Sequence, residues 1–182
     1  SDILRKEVSK MNSLRKKQAI ILLILAVLVA YGLLLLRFSL RNDQNNYFLP
    51  VRMYMSDAFN HHEFMLWNPY LSGSYPIHCD MQGSVWNPIV IFLSWLFNYN
   101  STLLSLELLL YLIIGAVGCF YFVRNFSENM AGCALIAISY GCCGATISFL
   151  EFIDWEASAA FLPWVLHFFY LTLKKGGFHV SI

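Results

Sequence analysis

The chain of 182 residues is 58% apolar and only 13% charged, with a formal net charge of +1 and a mean hydropathy of +0.57. A soluble domain is roughly half apolar and a quarter charged, so this composition excludes an ordinary water-solvated globule and makes lipid the solvent to reason with. No basic stripe is present, and nucleic acid is not expected as a partner.

The 5 cysteines are odd in number and lack CxxC spacing. Cys119, Cys133, Cys142 and Cys143 lie in apolar runs, where a thiol serves as a small packing residue. Neither a disulfide framework nor a zinc site is expected.

Residues 1–18 form a basic tail, with Arg5, Lys6, Lys10, Arg15, Lys16 and Lys17 set against Asp2 and Glu7. By the positive-inside rule this end is cytoplasmic. Residues 19–36 carry no charge, and at 1.5 Å per residue they reach about 27 Å, enough for a first transmembrane helix. No small-x-small cleavage site follows before Arg37, so the segment reads as a retained anchor and not a signal peptide.

Residues 37–102 are expected to form an extracytoplasmic loop with interfacial helices. Pro50, Pro69, Pro76 and Pro88 break the pattern, and Asn68-Pro69 and Ser72-Gly73 signal turns. Between Tyr47 and Phe64 the apolar residues Phe48, Val51, Tyr54, Met55, Ala58 and Phe59 approximate helical spacing, which predicts an amphipathic helix at the outer membrane surface. The apolar run from Ile89 to Phe97 is too short to span and reads as a re-entrant or interfacial helix.

Residues 103–123 make a second span, interrupted by Glu107 near its outer end, where the carboxylate is expected to snorkel to the interface. Residues 124–130 form a cytoplasmic loop. The third span, 131–150, is rich in Gly, Ala, Ser and Cys, including Gly141 and Gly144, which suits close approach of neighbouring helices. An acidic outer turn (151–156, with Asp154, Trp155 and Glu156), a fourth span (157–173, with His167 as a hydrogen-bonded buried histidine) and a cytoplasmic end (174–182) complete the pattern. The expected fold is therefore all-α and polytopic, with four spans and both ends inside. Of the 12 Lys and Arg residues only Arg37, Arg41 and Arg52 then fall outside. Asp43, Asp57, Glu63, Asp80, Glu151, Asp154 and Glu156 make the outward surface acidic.

The strongest local feature runs from Trp67 to Pro76 (WNPYLSGSYP), followed by Asp80-Met81-Gln82-Gly83 and Trp86-Asn87-Pro88. By residue type alone this is an aromatic belt with rigid turns. Its order, preceded by Asp43-Gln44, Tyr47 and Pro50, resembles the first outer loop of bacterial YfhO-like membrane proteins, in the class of GT-C-fold glycosyltransferases. A second stretch, Ile138-Ser139-Tyr140-Gly141, Gly144, Trp155 and Leu162-Pro163, is similar to the same family.

The resemblance implies a multi-pass protein of the bacterial cytoplasmic membrane that transfers a sugar from a polyprenyl-phosphate carrier to a cell-envelope acceptor on the outer face, among membrane lipids. It implies Asp43 as general base, with Arg41, Gln44, Arg52, Trp67, Asn68, Tyr70, Asp80, Gln82 and Trp86 contacting substrate. Members of that family are longer, so the chain reads as an amino-terminal piece that depends on the rest of its parent and is inactive by itself. Read without the resemblance, Asp43 is a solvated loop acid flanking Arg41. Guanidinium forks at Arg41 and Arg52 suit a lipid phosphate, although a solvated or snorkelling arginine has the same appearance in sequence. No cofactor is expected, though His61, His62, Glu63, His78 and Asp80 offer ligands to a divalent ion without a recognised spacing. Two other classes fit the composition: a transporter or lipid-sugar flippase with Glu107 or His167 on its path, and a noncatalytic assembly subunit.

Overall fold

The computed structural model describes residues 2–32, 42–70 and 73–175. Among them every regular element is helical, apart from one isolated antiparallel bridge between Asn68 and Tyr75.

Helix α1, Asp2–Val27, runs on as a π-helical turn, Leu28–Gly32. Its apolar half contains no proline and no glycine before Gly32, so nothing interrupts the backbone hydrogen bonds. Leu23, Val27 and Tyr31, spaced by four, are buried, while Ile21, Leu22, Leu25 and Val29 face outward. The Tyr31 hydroxyl donates to the Gly141 carbonyl at 2.9 Å.

A second π-helical turn, Gln44–Phe48, leads into α2, Leu49–Asn60, through a bond from the Leu49 N–H to the Gln44 carbonyl, and Pro50, which has no N–H to offer, stands where the wider turn gives way to the α-helix. Helix α3, Pro88–Leu96, is capped by Asn87, whose side chain accepts from the Ile89 N–H. Helices form within both stretches that the sequence assigns to interfacial helices, the first shorter than the amphipathic stretch predicted. Between them Asn68 and Tyr75 exchange backbone hydrogen bonds of 2.9 and 3.1 Å, and Ile77–Cys79 makes a 3₁₀ turn. Val51, Met55, Ala58, Met65, Ile77, Val85 and Val90 close into a small core of their own, separate from that of the long helices. The segment is thus a folded unit.

Helix α4, Ser101–Val123, is central and capped by Asn100. Helix α5, Met130–Gly141, is capped by Asn129, which accepts from two N–H groups, and α6, Gly144–Phe149, follows. The stretch expected as one continuous span is therefore broken at Cys142 and Cys143, and the Thr146 hydroxyl takes the freed Tyr140 carbonyl at 3.0 Å. Helix α7, Ile153–Lys174, contains Pro163 and packs along α4.

Small residues set that last contact. A Cβ on Gly115 would meet the Ala160 Cα at 3.2 Å, and one on Gly118 would lie 2.6 Å from the Trp164 indole. The indole N–H donates to the Ile114 carbonyl at 2.9 Å. Among the described residues two helical stretches, of the four spans expected, are long and apolar enough to cross a membrane: Ser101–Val123 and, taking α5 and α6 together, Met130–Ser148.

Candidate functional site

The polar groups of the folded segment gather where α2 crosses the amino-terminal end of α4. Arg52 lies on the inner face of α2 beside Val51 and Met55, and all three are fully buried. Its Nε and Nη2 donate to the two carboxylate oxygens of Glu107, each at 3.3 Å. Nη1 donates to the Gly83 carbonyl. Tyr99 adds its hydroxyl to Glu107 Oε2 at 2.7 Å. Burial alone would weaken the guanidinium's hold on its proton, but the Glu107 carboxylate outweighs it and keeps Arg52 charged.

Two sequence expectations meet this network. Glu107 does not snorkel outward: it turns inward and is 1% exposed. Arg52 offers no open face to a phosphate, because it is fully buried and each of its three guanidinium nitrogens is bonded to Glu107 or Gly83.

Gly83 joins this network to a second. Its N–H donates to Asp80 Oδ1 at 3.1 Å, while Asp80 Oδ2 accepts from the Tyr75 hydroxyl at 2.6 Å and from the Tyr47 hydroxyl. A Cβ at Gly83 would sit 3.0 Å from Asp80 Oδ2 and 3.4 Å from Val51, so an alanine there would press on the Asp80 carboxylate. Burial alone would raise the Asp80 pKa, but the two phenols and the Gly83 and Gln82 N–H groups hold it below the usual carboxylate value. Asp80 is accordingly an ionised, fully engaged acceptor that organises the loop.

Asp43 stands half-buried just before the π-helical turn. Its neighbours tie it to the turn between α6 and α7: the Asn42 amide donates to Glu151 at 2.6 Å, and the Gln44 amide donates to the Leu150 carbonyl. Asp154, in the first turn of α7, is brought within electrostatic reach of both Asp43 and Arg52. Burial first, and the Asp43 charge as a lesser cause, raise the Asp154 pKa. Among the described residues, the buried Asp154 Oδ1 and Glu156 Oε2 have no hydrogen-bond partner. Asp43 and Asp154 are far apart in the chain, and the sequence sign that relates them is that both fall at the expected outer ends of helices.

A cavity of about 720 Å³ opens on the other side of α2, walled by that helix, the Asn68–Tyr70 segment and the Asn98–Tyr99 turn. Asn68 and Tyr70 line it. The remaining residues proposed from sequence lie elsewhere. Trp67 is exposed and donates to the Ser74 hydroxyl. Trp86 is also exposed, packs on Phe64 and donates to the His78 carbonyl at 2.7 Å. Gln82 is on the surface, and Arg41 lies outside the described residues.

The structure therefore divides the expected site into an acidic pair at the bundle end, two inner networks, a cavity and an aromatic surface. Sequence reasoning missed the cavity's other lining residues, Asn46, Asn60 and Asn98 among them. The signal that could have found the first two is their spacing on the outer face of the α2 segment. Among the described residues no three of His, Cys, Asp and Glu gather as metal ligands: His78 Nδ1 contacts the Leu66 carbonyl at 2.7 Å, and His61 pairs with Asp57 at 3.6 Å. No protein-family model matches the chain, and no curated protein or solved structure matches it either.

Proposed function

We propose that the chain is a membrane module of an outer-face glycosyltransferase of the YfhO-like kind, with four spans carried by α1, α4, the α5–α6 pair and α7, and with the α2–α3 unit outside. Large apolar side chains face outward on α1 (Ile21, Leu22, Leu25, Val29), α5 (Leu135, Ile136) and α7 (Leu162, Val165, Phe168, Phe169). A water-soluble monomer rarely exposes so much contiguous apolar surface, whereas lipid covers it without cost. The charges agree with this orientation. Lys16 lies over the Tyr121 ring at 4.3 Å, and Asn125 contacts His167 at 2.8 Å, at one end of the bundle. Asp43, Glu151 and Asp154 lie toward the other, where Asn42 bonds Glu151. A basic cytoplasmic end and an acidic outer end follow.

The observation that carries the catalytic reading is that the residues on either side of Asp43 are bonded to the turn before α7, Asn42 to Glu151 and Gln44 to the Leu150 carbonyl, which seats Asp43 at the acidic end. In the proposed reaction the Asp43 carboxylate takes the proton of an acceptor hydroxyl. The hydroxyl oxygen forms a bond to the anomeric carbon of a polyprenyl-phosphate sugar. The bond from that carbon to the phosphate oxygen breaks, and the polyprenyl phosphate leaves with the electron pair. In the full-length protein, Asp43→Asn should reach the membrane at normal level and lose sugar transfer by about 100-fold or more, measured with radiolabelled polyprenyl-phosphate sugar. Unchanged transfer would remove Asp43 from this role.

A transporter remains the second reading, favoured by the unpartnered Glu156 oxygen inside the bundle. Movement of a lipid-linked sugar across proteoliposomes, without transfer to an acceptor, would select it.

A further inference from the structure

We propose that the cavity on the outer face of α2 binds an uncharged saccharide, which makes it the seat of the acceptor glycan and not of the lipid phosphate. This assignment of the ligand as acceptor rests on the glycosyltransferase reading; the binding itself does not.

Size and shape come first. About 720 Å³ falls within the range of small-molecule sites. The helical segment from Asn46 to Asn60 presents Asn46, Pro50, Met53, Asp57 and Asn60 along one face at intervals of three and four, and all of them line the cavity. The opposite face carries Arg52 and Met55 into the core. The helix thus separates the charged inner network from the cavity.

The lining chemistry narrows the ligand. Four carboxamides, those of Asn46, Asn60, Asn68 and Asn98, offer donors and acceptors together, and Asp57 adds an acceptor. A polyol, in which each hydroxyl both donates and accepts, matches that mixture. Among the described residues no Lys, Arg or His lines the cavity, so an anionic group would enter without a countercharge. Phosphate is therefore a poor occupant.

The walls are held in place before any ligand arrives. Asn68 is buried, bonded through its backbone to Tyr75, and its Oδ1 accepts from the Tyr70 N–H at 2.9 Å. Asn60 donates to Asn98 at 2.6 Å across the far side. Tyr54 donates to the Trp67 carbonyl at 2.5 Å, and its ring stands edge-on to Tyr70 at 6.2 Å. Tyr70 is 82% exposed, a phenol ring left open beside fixed amides. A ring so placed is a platform for the apolar C–H face of a sugar, with the amides reading its hydroxyls.

The test uses the full-length protein in nanodiscs and saturation-transfer NMR with neutral disaccharides, maltose and N,N′-diacetylchitobiose, alongside glucose 1-phosphate and methyl glucoside. Saturation transfer to a neutral disaccharide is expected, with binding weakened about tenfold in both Asn46→Leu and Tyr70→Ala, and unaltered in Met81→Ala, whose side chain is exposed away from the cavity. Glucose 1-phosphate should bind no better than methyl glucoside. Absence of transfer to every neutral sugar, binding indifferent to both cavity variants, or a preference for the phosphate would each overturn the proposal. Asn46 and Tyr70 are exposed, so their substitution spares the fold. Loss of turnover in Asp43→Asn with an unchanged acceptor KM in both cavity variants would sink the cavity and leave the transferase reading standing. Saccharide binding that depends on Tyr70, with transfer intact in Asp43→Asn, would do the reverse.

Discussion

Arg52 and Glu107 lie 55 positions apart in sequence, and each is buried only because the other is there. Removing one partner strands a charge in a low-dielectric interior, which typically costs about 3–5 kcal/mol, whereas replacing both with apolar side chains is close to neutral. Glu107→Ala should therefore lower the thermal midpoint of the detergent-solubilised protein sharply. Arg52→Met combined with Glu107→Leu should recover most of the loss. If the double variant is no better than the single one, the pair is not the stabilising unit. Neither residue announces this partnership in sequence. An arginine in an outer loop reads as a phosphate ligand or a solvated cation, and a glutamate near a helix end reads as one that snorkels. Asp80 is similar: its acidity is visible in the sequence, but its engagement by Tyr47, Tyr75 and Gly83 depends on how the loop folds back.

Among the elements, α4 and α7 show how much a small residue decides. Gly118 leaves room for the Trp164 indole, whose N–H is already committed to the Ile114 carbonyl. Gly118→Ala places a methyl group where the ring lies, an overpacking that costs about 1–3 kcal/mol. Its midpoint of heat-induced aggregation in detergent should fall, and Trp164→Leu in the same background should restore part of it. An unchanged midpoint would mean that the helices separate easily at this contact. The apolar lengths of these helices were readable from sequence; the contact that holds them together was not. The break at Cys142 and Cys143 was likewise hidden inside an apolar run. Gly141 and Gly144 flank it, and glycine weakens a helix by about 1 kcal/mol per residue. The Thr146 hydroxyl then replaces a backbone hydrogen bond at the break.

For the whole molecule, the testable claim is the direction in which the chain crosses the bilayer. With the native cysteines replaced, Met81→Cys should react with a membrane-impermeant maleimide added to intact cells. Glu128→Cys, in the α4–α5 connection, should react only after the cells are permeabilised. The opposite pattern would invert the topology and place the acidic end and the cavity in the cytoplasm. By itself the sequence determined the all-helical character, two of the four expected spans as membrane-length apolar helices, and the separate, turn-rich segment between α1 and α4, because hydropathy and proline placement are local properties summed along the chain. The tertiary structure decided which polar groups face each other: Arg52 with Glu107, Asp80 with two phenols, Asn42 with Glu151, and four asparagines around one cavity. These pairings join residues brought together only when the helices pack and the loop closes on its own small core, and nothing local in the chain records them.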